Sequence, residues 1–129
     1  MIPWRKTPEE PQRPVLDMSY LDRLSSHLGT DITGELLADG MFELADRLDR
    51  VEELTTAGDV DGLLRLTHDI AGASGHLGLS RLSAAAAAAN RDLRQVEGSG
   101  ARSVVQPLID CRSASIDALG RFCRGLNPS

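Results

Sequence analysis

A chain of 129 residues is long enough for one hydrophobic core with flanking tails. Its apolar residues make up 41% of the chain but aromatics only 3%, so the core must be leucine, alanine, valine and isoleucine, a composition that favours helices. A net charge of −5 with no Lys/Arg cluster argues against nucleic-acid binding, and no apolar run reaches the ~18 residues of a membrane span.

The N-terminus, Met1-Ile2-Pro3-Trp4-Arg5-Lys6, has no hydrophobic signal segment behind it, so a cytoplasmic protein is expected. Pro3, Pro8, Pro11 and Pro14 make residues 1–15 an extended, flexible tail, from which Trp4 could anchor onto the domain or a partner. The domain proper is expected over 16–125, with 126–129 as a C-terminal tail. A short helix is predicted from about Leu16 to Leu28, with His27 near its C-terminal dipole. Thr30 or Asp31 is a candidate cap for a long second helix, about Ile32 to Thr56. Its seam is Leu37, Met41, Leu44, Leu48, Val51 and Leu54.

Gly58 ends that helix and Asp59 caps a third, which runs to about Leu77. Gly78 breaks the third helix, and Ser80 is a candidate cap for a fourth through Arg94. The Ala84–Ala89 run reads as a helix kept slim for close packing. Gly98-Ser99-Gly100 is a turn, and a fifth helix is predicted from about Ser103 to Arg124, with Pro107 near its start or kinking it. Cys111 and Cys123 would lie about 18 Å apart on that helix, too far for a disulfide, which needs Cα atoms within roughly 7 Å. Reduced thiols suit a reducing compartment. Four substantial helices on short loops imply an all-α, antiparallel up-down-up-down four-helix bundle with a short N-terminal covering helix.

The third helix carries the informative residues. Its apolar stripe, Leu63, Leu66, Ile70, Ala73 and Leu77, centres about 170° from His68, so that imidazole faces water. Ala71, Gly72 and Gly75 surround it. Two glycines inside a helix cost roughly 1 kcal/mol each relative to alanine, so the space is expected to serve a partner. Leu64 lies on the His68 face. Phe42, on the otherwise acidic face of the second helix, is a second candidate for an apolar docking patch. Asp39, Asp46 and Asp49 read as a solvated face. His76 is too far around and along the helix to share a metal with His68, and no metal site is expected.

The stretch His68, Gly72, Gly78, with Ile70, Leu77 and Leu79 two, nine and eleven residues after the histidine, resembles the histidine-containing phosphotransfer (HPt) family. The upstream Ala57-Gly58-Asp59 turn after a long helix is similar too, and the likeness spans roughly residues 16–124. It implies a four-helix bundle presenting His68 as phosphoryl acceptor. That histidine would take the group from a receiver-domain aspartate and pass it to another receiver, in a two-component phosphorelay. It further implies no autonomous kinase activity, no cofactor of its own, Mg²⁺ on the receiver, and a monomeric shuttle. In one position the chain departs from the family: Ala71 stands where a lysine is common. Arg65, one turn earlier on the exposed face, could supply the charge, since guanidinium matches phosphate geometry. The alternative is an HPt-like adaptor that binds receivers or kinases without being phosphorylated.

Overall fold

Apolar spacing and the residues at each helix end decide where this chain turns. The computed structural model describes residues 13–97 and 100–126. They form six helices: α1 (Met18–Leu28), α2 (Thr30–Ala57), α3 (Val60–His76), α4 (Ser80–Leu93), α5 (Ala101–Asp110) and α6 (Arg112–Leu126). No strand occurs among the described residues. Trp4 and most of the proline-rich tail lie outside them, as do the C-terminal residues 127–129.

The α2–α3 hairpin follows its sequence signals. Gly58 takes the left-handed conformation (φ 68°) that closes α2, where an L side chain would be strained. Asp59 then accepts a hydrogen bond from the Gly62 N–H at 2.9 Å, satisfying one orphan amide of α3. The predicted stripes meet in the core: Leu37, Leu44, Leu48 and Val51 from α2 are buried against Leu63, Leu66, Ile70 and Leu77 from α3. Met41, Leu54 and Ala73 are half-buried at its edge. α4 adds Leu82, Ala86, Ala89 and Leu93, α5 adds Val105 and Leu108, and α6 adds Leu119.

α1 covers one end of the bundle. Asp17 caps it by accepting from the Tyr20 N–H at 3.1 Å. Leu21 inserts fully into the core. The Asp17 N–H donates to the Gly78 carbonyl at 2.8 Å, and the Tyr20 hydroxyl donates to the His76 carbonyl at 2.8 Å, so α1 is tied to the end of α3. The backbone of His76 thus serves α1, and no contact joins its ring to His68. His27 Nδ1–H donates to the Arg23 carbonyl at 2.7 Å in the last turn of α1.

Three end signals resolve differently from expectation. α1 begins at Met18, because Asp17 rather than Leu16 marks its start. Neither Thr30 nor Asp31 caps α2; Gly29 occupies that position at φ 84°, and a one-residue link between two helices needs that backbone more than it needs a side-chain acceptor. Ser80 is already inside α4, and its hydroxyl donates instead to the Pro14 carbonyl at 2.7 Å.

The predicted fifth helix is two. It starts early enough, at Ala101, that Pro107 lies in its interior, where the ring removes one backbone donor and crowds the preceding turn. The chain recovers for three residues and breaks at Cys111, whose N–H is shared between the Pro107 and Leu108 carbonyls at 3.3 and 3.2 Å. α5 and α6 together make the fourth long element of the bundle. Cys111, at the joint, and Cys123 are both free and half-buried, and burial pushes both thiols up.

Candidate functional site

Residue by residue, α3 sends its apolar side inward and leaves His68 exposed on the outer face. Beneath the histidine, Thr67 is fully buried, its hydroxyl donating to the Leu63 carbonyl at 2.8 Å. An open hollow of about 390 Å³ lies between α3 and α4 at this level. Leu64, Arg65, His68 and Asp69 line it from α3, and Asn90 and Arg94 line it from α4.

Asn90 fastens the two helices there. Its Nδ2 donates to the Leu64 carbonyl at 2.7 Å and to the Thr67 hydroxyl at 3.1 Å. Its Oδ1 accepts from Arg94 Nη2 at 3.1 Å. One side chain therefore sets the height of α4 against α3 and aims a guanidinium toward the face that carries His68. Arg65 stands on the other side of the same hollow. The result is one exposed imidazole with two cationic forks beside it, a geometry suited to an anionic, oxygen-rich group.

The small residues behave in two ways. A Cβ at Gly72 would meet nothing within 4 Å, and one at Gly75 only the Ser83 hydroxyl at 3.7 Å, so nothing among the described residues requires either glycine. Gly75 also borders a neighbouring groove of about 350 Å³ with Gly78, Ser83, Ala84 and Ala87, so the clearing continues from α3 across α4. Gly78 is different: at φ 73° it ends α3, and a Cβ there would fall 2.7 Å from Leu21. Ala71 is half-buried toward α4, its carbonyl taken by the Ser83 hydroxyl at 2.8 Å.

Leu64 is brought beside His68 and half-buried. Phe42 is not. It is 81% exposed on the outer side of α2 and does not line the hollow. Gly40 packs on Leu77, which sets α2 against α3 and leaves Phe42 level with Gly75, ~10 Å along the axis from His68. Asn90 and Arg94 escaped the sequence reading because they join the site only through the register of α3 on α4. Their signal was present, since Ser83, Asn90 and Arg94 interrupt an alanine-rich helix at spacings of seven and four, which is one face.

Among the described residues no group of His, Cys, Asp and Glu converges to hold a metal ion, and no helix is long and apolar enough to cross a membrane. No curated protein matches the chain in sequence. Among solved structures, it is similar to histidine-containing phosphotransfer protein B (HptB) from Pseudomonas aeruginosa PAO1, at 19% identity and a TM-score of 0.76, over 88% of this chain and 97% of that one. That likeness concerns the fold. The Hpt domain family model matches residues 35–124, most of the chain and all of α3 and α4, so the protein belongs to the Hpt domain family.

Proposed function

We propose that the protein is a phosphocarrier of a two-component phosphorelay, with His68 as the residue that carries the group. A lone pair of the neutral imidazole forms the N–P bond as the P–O bond to a receiver aspartate breaks, and the carboxylate leaves with the electron pair. A second receiver's aspartate reverses the step. Such a transfer needs alignment and charge stabilisation more than acid–base machinery, which is why a site without a general base can serve. Arg65 and Arg94 neutralise the phosphoryl oxygens in place of a lysine at Ala71, while the receiver brings the Mg²⁺. The protein works as a monomer and has no kinase activity of its own.

The observation that carries this reading is the pairing of an exposed His68 with two guanidiniums and an empty space over Gly72. Phosphoryl transfer from a panel of phosphorylated receivers tests it, with His68→Gln alongside. Base-stable, acid-labile label on the wild type and none on the variant is the expected result. Receiver binding without label on either would replace the carrier by an adaptor.

A further inference from the structure

His68 stands between two grooves, and the two arginines lie in the one toward α4. On α3, His68, Gly72 and His76 follow one another at four-residue intervals, a single ridge that drifts around the helix toward α2. His76 borders a hollow of about 520 Å³ between α2 and α3. Ala73 and Leu77 wall it from α3, Leu36 and Gly40 from α2, and Tyr20 of α1 closes one end. The clearing over Gly72 thus joins His68 to this second hollow.

Beyond the hollow the surface stays apolar. Leu36 and Ile32 are one turn apart on α2, and Leu28 ends α1 just before the Gly29 link; they are 48, 57 and 38% exposed. Three large aliphatic side chains leading into a hollow make a patch that a monomer seldom leaves bare. Phe42, by contrast, stands apart, about 120° round α2 from Leu36. Leu28 and Ile32 precede residue 35, where the Hpt family match begins, so the patch reaches past the part of the chain that the family model covers. Charge at its edge is mainly negative: Asp39 and Glu43 line the hollow with Arg47, and Glu35 is exposed beside Leu36.

We propose that the receiver seats its body on the Ile32–Leu36 ridge and the α2–α3 hollow while its aspartate meets His68. The α4 side of the histidine then holds the phosphoryl group and the α2 side holds the partner, an assignment that rests on the phosphocarrier reading. The partner surface that fits is aliphatic and bordered by basic side chains. Its reach is sufficient. Gly40 packs on Leu77, so along the antiparallel pair Leu36 lies ~20 Å from the level of His68. A domain of about 100 residues, with a radius of gyration of about 13 Å, covers that distance. A second copy in the same place would bring its own Glu35, Asp39 and Glu43 onto these carboxylates about a two-fold axis, a like-charge contact.

Affinity for the receivers that bind the wild type tests it. Ile32→Ser with Leu36→Ser should weaken binding about tenfold, the loss of two aliphatic contacts, while far-UV circular dichroism and the melting temperature stay unchanged. Asp39→Lys with Glu43→Lys should weaken it as well and flatten its dependence on salt. Phe42→Ser should bind as the wild type does. Wild-type affinity in both double variants, with label still reaching His68, overturns the docking surface and leaves the phosphocarrier standing. A dimeric wild type made monomeric by the Ile32 and Leu36 changes also overturns it, by giving the ridge to a second copy. A receiver that binds with these losses but leaves no label on His68 upholds the surface and overturns the carrier instead.

Discussion

The two sides of α4 are built from one alanine-rich sequence to opposite ends. Toward α3, Ser83 and Asn90 reach across and donate to the carbonyls of Ala71 and Leu64, and Arg94 is held by Asn90. Toward α5, Ala85, Ala88 and Ala89 meet Val104 and Pro107 across a groove. Slim alanines allow close approach in either direction, and Ser83 and Asn90 add side-chain hydrogen bonds to the α3 side. The polar contacts at the His68 face thus come from Ser83, Asn90 and Arg94, while Leu82, Ala86, Ala89 and Leu93 of the same helix are buried in the core.

The sharpest break of that comparison is at His68 itself. His68→Gln should abolish phosphoryl acceptance while changing stability by no more than ~0.5 kcal/mol, because the side chain is exposed and does not pack in the core. Transfer assays and thermal melts on the same preparation check both halves. A structural glycine in the same motif should do the reverse. Gly78→Ala places a Cβ 2.7 Å from Leu21 at φ 73°, and the combined clash and backbone strain should cost about 2–4 kcal/mol in urea unfolding.

Arg94 sharpens the comparison from the α4 side. Arg94→Ala should slow transfer into His68 about tenfold, the equivalent of one charge-assisted hydrogen bond to the phosphoryl group, with Arg65→Ala comparable and the pair close to additive. Asn90→Ala should slow it by a similar factor through Arg94, and it should also lose about 1 kcal/mol of stability by unfastening α3 from α4. Single-turnover rates separate the two: Asn90→Ala combined with Arg94→Ala should be no slower than Arg94→Ala alone.

Much of this arrangement was legible in the chain. The seams of α2 and α3 repeat often enough to define their faces, and Gly58-Asp59 states its turn chemistry outright, so His68 could be placed on the outside before any coordinates. Contacts between helices were not legible in the same way. Asn90 and Arg94 are 22 and 26 residues beyond His68, and only the axial register of α4 makes them neighbours. Ser80 looked like a cap because its competing acceptor, the Pro14 carbonyl, comes from 66 residues away. The break at Cys111 was hidden because Pro107 within a first turn and Pro107 in a helix interior differ only by where the helix starts, and Ala101 rather than Ser103 decides it.

Cysteine reactivity gives a smaller effect on the α5–α6 side. Burial raises the Cys111 thiol, with Arg81 opposing and Asp110 reinforcing, and it raises Cys123 as well. A thiol whose folded value lies above its unfolded one favours the folded state below the ordinary thiol range, and that contribution is lost as pH rises through the folded value. Stability should therefore decline slightly above about pH 9, and alkylation near neutral pH should be slower in the folded chain than in urea. Equal alkylation rates in the two states would mean that the α5–α6 joint opens freely.

Gly72 offers the finest test of why the His68 face is open. Gly40 is explained within the chain, since a Cβ there would strike the Leu77 side chain at 2.5 Å, but a Cβ at Gly72 meets nothing. Alanine should therefore be tolerated in the isolated protein and should even stabilise α3 by about 0.5–1 kcal/mol, through helix propensity alone. If the clearing exists for a partner, that gain comes with weaker receiver binding, because one methyl group stands where the partner backbone must approach the histidine. Gly72→Ala that is more stable and still binds and transfers like the wild type would remove the docking argument for the glycine and leave His68 with its two arginines to carry the site. A more stable but slower protein would show a residue kept at a cost to the fold for the sake of the encounter.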